Sequence, residues 1–93
     1  MSSLSFDGVL FSAYPNDHLP RHVHAYLGSL SAIVEIRADR TVVLADRKDA
    51  TSPRNAKRRG VKKMLDVAAE NFDELWALWE EMHERSQSSD DGR

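Results

Sequence analysis

Three of the four histidines of this 93-residue chain, His18, His22 and His24, lie close together in the stretch Asp17-His18-Leu19-Pro20-Arg21-His22-Val23-His24-Ala25. His22 and His24 are two positions apart, so both imidazoles project from the same side if this stretch forms a strand. Imidazole is a common ligand of zinc and titrates at about pH 6.5 in the absence of perturbing neighbours. The spacing therefore allows either a metal site or acid–base catalysis.

A metal site here needs a third ligand, which His18 or Asp17 would supply across the turn at Pro20. The chain has no cysteine, so a site must combine histidine with aspartate or glutamate. Zinc or a similar divalent metal is favoured over calcium because imidazole nitrogen matches hard cations poorly. The sequence fixes no fourth ligand. We therefore expect no cofactor and keep zinc as the alternative.

In the catalytic alternative, His18, His22 and His24 take and return a proton during RNA cleavage while nearby cations hold the phosphate. Against this, adjacent histidines on one face depress each other's protonation, and no cysteine or recognisable serine elbow supplies a nucleophile. A structural role is the third alternative, since a histidine beside a proline turn can satisfy exposed backbone groups. All three alternatives stay open, and we favour a protein that is not an enzyme.

Charge is segregated along the chain although its net charge is only -2. Eight cations and a single acid, Asp49, lie between residues 47 and 63, and acids then dominate from Asp66 to Glu84. The candidates for contact with nucleic acid are Arg54, Lys57, Arg58, Arg59, Lys62 and Lys63. No aromatic residue is interleaved among them, which favours the backbone of duplex DNA or structured RNA over stacking on single-stranded bases. The alternative is a solvated face that pairs with the acidic segment or with a partner protein.

Alternating and aromatic segments predict strands at 6–14, 22–27, 32–36 and 41–44. Connections this short favour an antiparallel meander, because parallel pairing needs long crossovers. In the second strand, side chains alternate between the two faces of the sheet. We expect Val23, Ala25 and Leu27 to face the core, and His22, His24 and Tyr26 to lie on the opposite face.

The second half of the chain predicts two amphipathic helices. The first begins at Ser52 and Pro53, as N-cap and first helical residue, or near Gly60, and its apolar positions are Val61, Met64, Leu65 and Ala68. The second is capped by Asn71 and buries a stripe of Phe72, Leu75, Trp76, Trp79, Met82 and His83. The prediction is one α+β domain over residues 6–85, a four-stranded antiparallel meander covered on one face by two C-terminal helices, with a flexible tail at 86–93.

Composition places the chain among soluble globular proteins, with 41% hydrophobic and 30% charged residues. No apolar run approaches the roughly 20 residues that a membrane-spanning helix needs. The first residues also lack the basic start and apolar core of a signal peptide. A cytoplasmic location without membrane contact is therefore expected.

The histidine stretch resembles the signature of the bacterial family of domain of unknown function DUF4160. That family carries an Asp/Glu-His-x-Pro-Pro-His-Phe-His run after a Phe-Gly-Ile-type first strand, here Phe6-Asp7-Gly8-Val9. The family's closing pattern is matched by Leu65, Ala68, Asp73, Glu74, Leu75 and Trp79, so the likeness covers the chain from Phe6 to Glu80. Two features depart from it: Arg21 replaces a second proline, and the stretch 46–59 is longer and more basic.

The resemblance implies a compact α+β fold, a bacterial cytosolic origin and a place in a toxin-antitoxin-like module encoded beside a second small protein. Together with the charge pattern, it predicts a component of such a module that binds a partner protein and nucleic acid through the segment from Arg54 to Lys63. The alternative is a small toxin-type ribonuclease or metal-binding enzyme that uses His18, His22 and His24. A helix with two tryptophans and exposed apolar edges also allows a homodimer.

Overall fold

The computed structural model describes residues 2–14 and 18–91, with side chains for 3–14 and 18–83. Its strands are Ser2–Phe6 (β1), Val9–Ala13 (β2), His22–Leu27 (β3), Leu30–Ile36 (β4), Val42–Leu44 (β5) and Thr51–Ser52 (β6). Its helices are Arg58–Glu70 (α1) and Phe72–Asp91 (α2). Strands β1 to β5 pair in chain order, each antiparallel to the next, and β6 pairs with β4. The α+β prediction, an antiparallel meander with two C-terminal helices, is confirmed.

The predicted first strand is in fact a hairpin, because the chain reverses at Asp7-Gly8 between β1 and β2. Both turn residues have positive φ, 50° for Asp7 and 84° for Gly8. Two central residues with positive φ are the hallmark of a type I′ turn, for which Asp-Gly is a preferred pair. The sheet therefore has an additional edge strand, β1, that the prediction of one strand over 6–14 missed.

The core lies between the sheet and the helices. Phe11, Val23, Ala25 and Val34 are fully buried on the sheet face that the alternation predicts. The helices bury Met64, Val67, Ala68, Phe72, Leu75, Leu78, Trp79 and Met82 against it. Most of the predicted helical stripe is therefore in the core, whereas Val61, Leu65, Trp76 and His83 are half-buried.

The predicted start of the first helix at Ser52 and Pro53 is wrong, since α1 begins at Arg58. Ser52 belongs to β6 and pairs with Ser31 of β4, so its backbone is extended and cannot enter a helix. Asn71 separates the two helices, and its side-chain amide donates a hydrogen bond of 2.9 Å to the carbonyl of Val67 near the end of α1.

Helix α2 continues to Asp91, and residues 92 and 93 of the predicted tail lie outside the described residues. The flexibility of the tail stays a prediction. Within residues 2–14 and 18–91, no helix is both long and apolar enough to span a membrane.

The segment 45–50 leaves the edge of β4 and returns to the same residue. The amide of Ala45 donates to the carbonyl of Ile33 at 2.9 Å, and the amide of Ile33 donates to the carbonyl of Ala50 at 2.7 Å. The intervening residues 46–49 therefore form a loop pinned at both ends to one point of the sheet. This loop supplies one wall of the cavity described next.

Candidate functional site

A cavity of about 540 Å³ lies beside His24 and Ile33, which face each other across β3 and β4 on the side of the sheet opposite Val23 and Val34. Its polar lining consists of His18, His22, His24, Glu35, Asp46 and Arg47, and its apolar lining of Leu19, Pro20, Ile33 and Ala45. The structure thus brings the three predicted histidines to one cavity.

The tautomer of His22 follows from its hydrogen bond. Its Nδ1 atom lies 2.9 Å from the carbonyl oxygen of Pro20, two residues earlier in the chain. A carbonyl oxygen only accepts hydrogen bonds, so Nδ1 must carry the hydrogen, and the neutral ring then has its lone pair on Nε2. The residue is only 8% exposed, and its ring position is therefore set by the protein.

Ring contacts connect the strand histidines to each other and to α2. The centroids of the His22 and His24 rings are 5.4 Å apart, and the Tyr14 ring lies 4.8 Å from that of His24 in an edge-on arrangement. On the other side, the His22 ring is 5.4 Å from the Trp79 ring, which stacks on His83 at 3.9 Å. The two histidines of β3 are thus held side by side between a tyrosine and a helix.

His18 lines the same cavity but is exposed. Asp17, the other candidate for a third metal ligand, lies outside the described residues. In the part of the chain that the structure describes, no group of three or more histidine, aspartate or glutamate residues is arranged to hold a metal ion. The three imidazoles share a cavity there without forming a ligand set.

Sequence reasoning missed the charged residues around the histidines. Glu35 faces His22 across the β3–β4 pair, and Asp46 and Arg47 come from the pinned loop. Arg47 donates two hydrogen bonds to the carboxylate of Asp49, at 2.6 and 2.9 Å. These bonds lower the pKa of Asp49, and the charge of His24 acts in the same direction. Glu35 was detectable as an acid in an aliphatic strand, whereas the loop contacts depend on tertiary packing.

Arg21, between Pro20 and His22, connects the histidine stretch to α2. Its guanidinium carbon lies 4.3 Å from the centre of the Trp76 ring, a cation–π contact. Its Nη1 atom is 3.5 Å from Oε2 of Glu80. Arg21 thus provides a contact between the histidine stretch and the helix.

Comparison with known families gave one match. The model of the family described as domain of unknown function (DUF4160) matches residues 8–80, which is more than half of the chain. The chain belongs to the DUF4160 family. The match runs from the turn before β2 into α2 and includes every residue that lines the histidine cavity. Neither the curated proteins nor the solved structures gave a match.

The basic residues of this DUF4160 chain gather at the N-terminal end of α1. All six predicted contacts are exposed: Arg54, Lys57, Arg58, Arg59, Lys62 and Lys63. Lys62 forms an ion pair of 2.8 Å with Asp66 one turn later, which raises the pKa of Lys62. Among the described side chains, the other five have no ion-pair partner.

Two acids of α2 pair with arginines outside the helices and not with these cations. Asp73 accepts a hydrogen bond of 2.6 Å from Arg40, and Glu80 lies beside Arg21. Among the described residues, the basic face of α1 therefore does not form the ion pairs with the following acidic helix that one alternative predicts. The cations at the start of α1 remain available to an external partner.

The histidine cavity and this basic end of α1 lie apart. His22 is the first residue of β3 and Leu27 the last, which separates them by roughly 16 Å along the strand. The start of α1 lies against Leu27 and Leu30, at the far end from His22. Arg47 is the cation of the basic stretch that lines the histidine cavity. The structure thus does not place the α1 cations around a phosphate held at the histidines.

Proposed function

We propose that this chain is the nucleic-acid-contacting component of a toxin-antitoxin-like pair and binds phosphate backbone through the start of α1. The observation that carries the proposal is the group of exposed cations without ion-pair partners among the described side chains, Arg54, Lys57, Arg58, Arg59 and Lys63. A cation that is already paired must lose that partner before it binds phosphate, and these five have no such cost.

The position of the cations at a helix N-terminus supports the same conclusion. Helix α1 has Lys57 as its N-cap without a side-chain hydrogen bond, and its first turn contains no acid. The first amides of a helix have no partner within the helix, and its dipole favours an anion at this end. Cations placed there raise the positive potential further, which destabilises the helix slightly unless an anion binds.

The chemistry of the surface favours the phosphate backbone over the bases. No aromatic side chain lies among the cations to stack on a base, and exposed lysine and arginine contact phosphates without sequence preference. The surface is therefore expected to bind duplexes of different sequence with similar affinity.

Electrophoretic mobility shift with duplex DNA and structured RNA tests the proposal. Binding should weaken steeply as salt is added. Arg58→Glu should weaken binding to all sequences, and the slope of log affinity against log salt concentration should fall by the equivalent of about one phosphate contact or more. Lys48→Glu is the matched control, because it changes the net charge equally but lies in the loop at 46–49 and not on α1. Absence of a shift at low salt, or equal losses for both variants, would reject the α1 surface.

A second candidate function is RNA cleavage in the histidine cavity, favoured by the shared location of three imidazoles and Arg47. RNA carries its own nucleophile, so the lack of a cysteine or activated serine is no obstacle. One imidazole would take the proton of the 2′-hydroxyl as its oxygen attacks phosphorus, and another would give a proton to the departing 5′-oxygen. The products are a cyclic phosphate and a free 5′-hydroxyl, and Arg47 would stabilise the charge on phosphorus oxygens.

Expression in a bacterial host separates the two candidates. If the cavity is catalytic, induction of this chain alone should arrest growth, co-expression of the neighbouring small protein should relieve the arrest, and His22→Ala with His24→Ala should abolish it. Purified protein should then cut RNA but leave a strand with 2′-deoxy substitution at the cut site intact. Cleavage that survives the loss of both histidines would eliminate this mechanism. Calorimetric titration with zinc, compared with a variant lacking all three histidines, tests the metal alternative.

A further inference from the structure

We propose that the groove at the start of α1 binds a segment of the partner protein in which apolar and acidic side chains alternate. This inference rests on the proposed function, because it names the partner chemistry at the same surface. The groove encloses about 490 Å³, within the range of roughly 300–1,000 Å³ typical of ligand sites. It is lined by Leu27, Leu30, Lys57, Arg59, Gly60 and Lys63.

The floor of the groove is apolar. Leu27 and Leu30 face each other as the last pair of the β3–β4 hairpin, and both are half-buried against the main core. Gly60 of α1 lies directly against Leu30, whose Cδ1 atom occupies the space that an added methyl group would need. Part of the leucine surface is therefore open to an occupant, which would complete burial on this side of the core.

The rim of the groove is cationic. Arg59 and Lys63 are four residues apart and so lie on the same face of α1, and Lys57 is the residue just before the helix. All three are exposed and have no ion pair with a described side chain. A groove with an apolar floor and a positively charged rim is complementary to an occupant that has both apolar and negatively charged side chains.

These features favour a protein segment over nucleic acid as the occupant of the floor. Nucleic acid would use the cations but has no need of two leucines, and the groove offers no aromatic ring for base stacking. Leucine, isoleucine or phenylalanine side chains would bury against the floor while glutamate or aspartate meets the rim. Because the rim is shared, the segment and a nucleic-acid backbone would exclude each other, so the partner would regulate nucleic-acid binding by occupancy.

The test uses the full chain and a short fluorescein-labelled peptide built from alternating leucine and glutamate. Fluorescence polarisation should show binding, with roughly tenfold weaker affinity when lysine replaces glutamate or when serine replaces leucine in the peptide. Leu27→Ser and Lys63→Glu in the protein should each weaken binding similarly, with circular dichroism confirming the fold. Methyl signals of Leu27 and Leu30 should shift on titration. No shift at millimolar peptide, or affinity unchanged by serine in the peptide, overturns the proposal.

Nucleic-acid binding is measured on the same variants. Leu27→Ser should leave the mobility shift unchanged, because phosphate contacts use only the rim, whereas Lys63→Glu should weaken it. Unlabelled peptide should displace nucleic acid from the wild-type protein. If the protein binds the peptide but no nucleic acid, the proposed function is refuted and the proposal that the groove binds the peptide is supported. A protein that binds nucleic acid but not the peptide refutes the groove alone.

Discussion

The ring of His22 lies 5.4 Å from the ring of Trp79, and this contact joins the first residue of β3 to α2. Strand alternation places His22 on the face opposite the core, yet it is buried because the tryptophan covers it at the end of the strand. The histidine motif is therefore part of the junction between sheet and helix as well as part of a cavity. A structural contribution and a chemical one coexist at the same residue.

Replacing Trp79 should be costly. The side chain is 3% exposed, and truncating a buried tryptophan to alanine typically costs about 3–5 kcal/mol. A small domain has a total stability of about 5–15 kcal/mol, so Trp79→Ala should lower the urea midpoint severely. Trp76→Ala is the control, because Trp76 lies on the same helix but is only half-buried. If the two variants lost the same stability, Trp79 would contribute no more to the fold than Trp76, and the prediction would be wrong.

The hydrogen bond from His22 to Pro20 predicts the tautomer of the histidine ring. In long-range ¹⁵N–¹H correlation spectra of the neutral ring, hydrogen should be on Nδ1, since the carbonyl 2.9 Å away can only accept. In urea, where this geometry is lost, the preference should disappear. Observation of the Nε2–H form in the folded protein would contradict this prediction.

The ion pair between Arg40 and Asp73 predicts a pH dependence of stability. Arg40 donates hydrogen bonds to this carboxylate and lowers its pKa below the ordinary value of 3.8. A folded-state pKa below the unfolded one means that the pair stabilises the protein above about pH 4 and that this stabilisation is lost as pH falls through the lowered pKa. Both side chains are more than half exposed, so the effect should be small and weakened by salt.

Urea titrations of the wild type and Asp73→Asn between pH 2 and 7 check this prediction. The difference in free energy of unfolding should be present at pH 7 and shrink at low pH. Glu74→Gln is the matched control, since Glu74 lies in the same first turn of α2 but has no ion pair with a described side chain. A difference that grows on acidification would show that the sign is wrong.

The sequence predicted correctly those features that depend only on residues close together in the chain, such as strand alternation and turns. The period of two in β3 assigned Val23 and Ala25 to the core, and the turn at Pro20 brought His18 to the cavity of the other histidines. Of the two predicted starts of α1, the one near Gly60 is within two residues of the observed start at Arg58. The predicted start at Ser52 and Pro53 was wrong because β6 pairs with β4, a contact between distant parts of the chain. Arg47 was missed at the cavity for the same reason, since its loop is positioned by hydrogen bonds to Ile33.

The β1–β2 hairpin is a different case, because its signal was present in the sequence. Asp7-Gly8 is a strong two-residue turn signal, but the aromatic residues on both sides favoured one continuous strand. The hairpin depends on backbone conformation at these two positions. Their substitution should therefore show how strongly the turn determines the position of the edge strand.

Gly8→Ala should destabilise the protein through its backbone alone. At Gly8, φ is 84°, a conformation that costs an L-residue about 1–2 kcal/mol, whereas an added Cβ would have no atom within 4 Å. Asp7→Asn should be nearly neutral, because asparagine suits a type I′ turn equally well. D-alanine at position 8 of a synthetic chain should restore the loss, since it favours positive φ. Urea unfolding of the three proteins checks these expectations, and a loss that persists with D-alanine would contradict the backbone explanation.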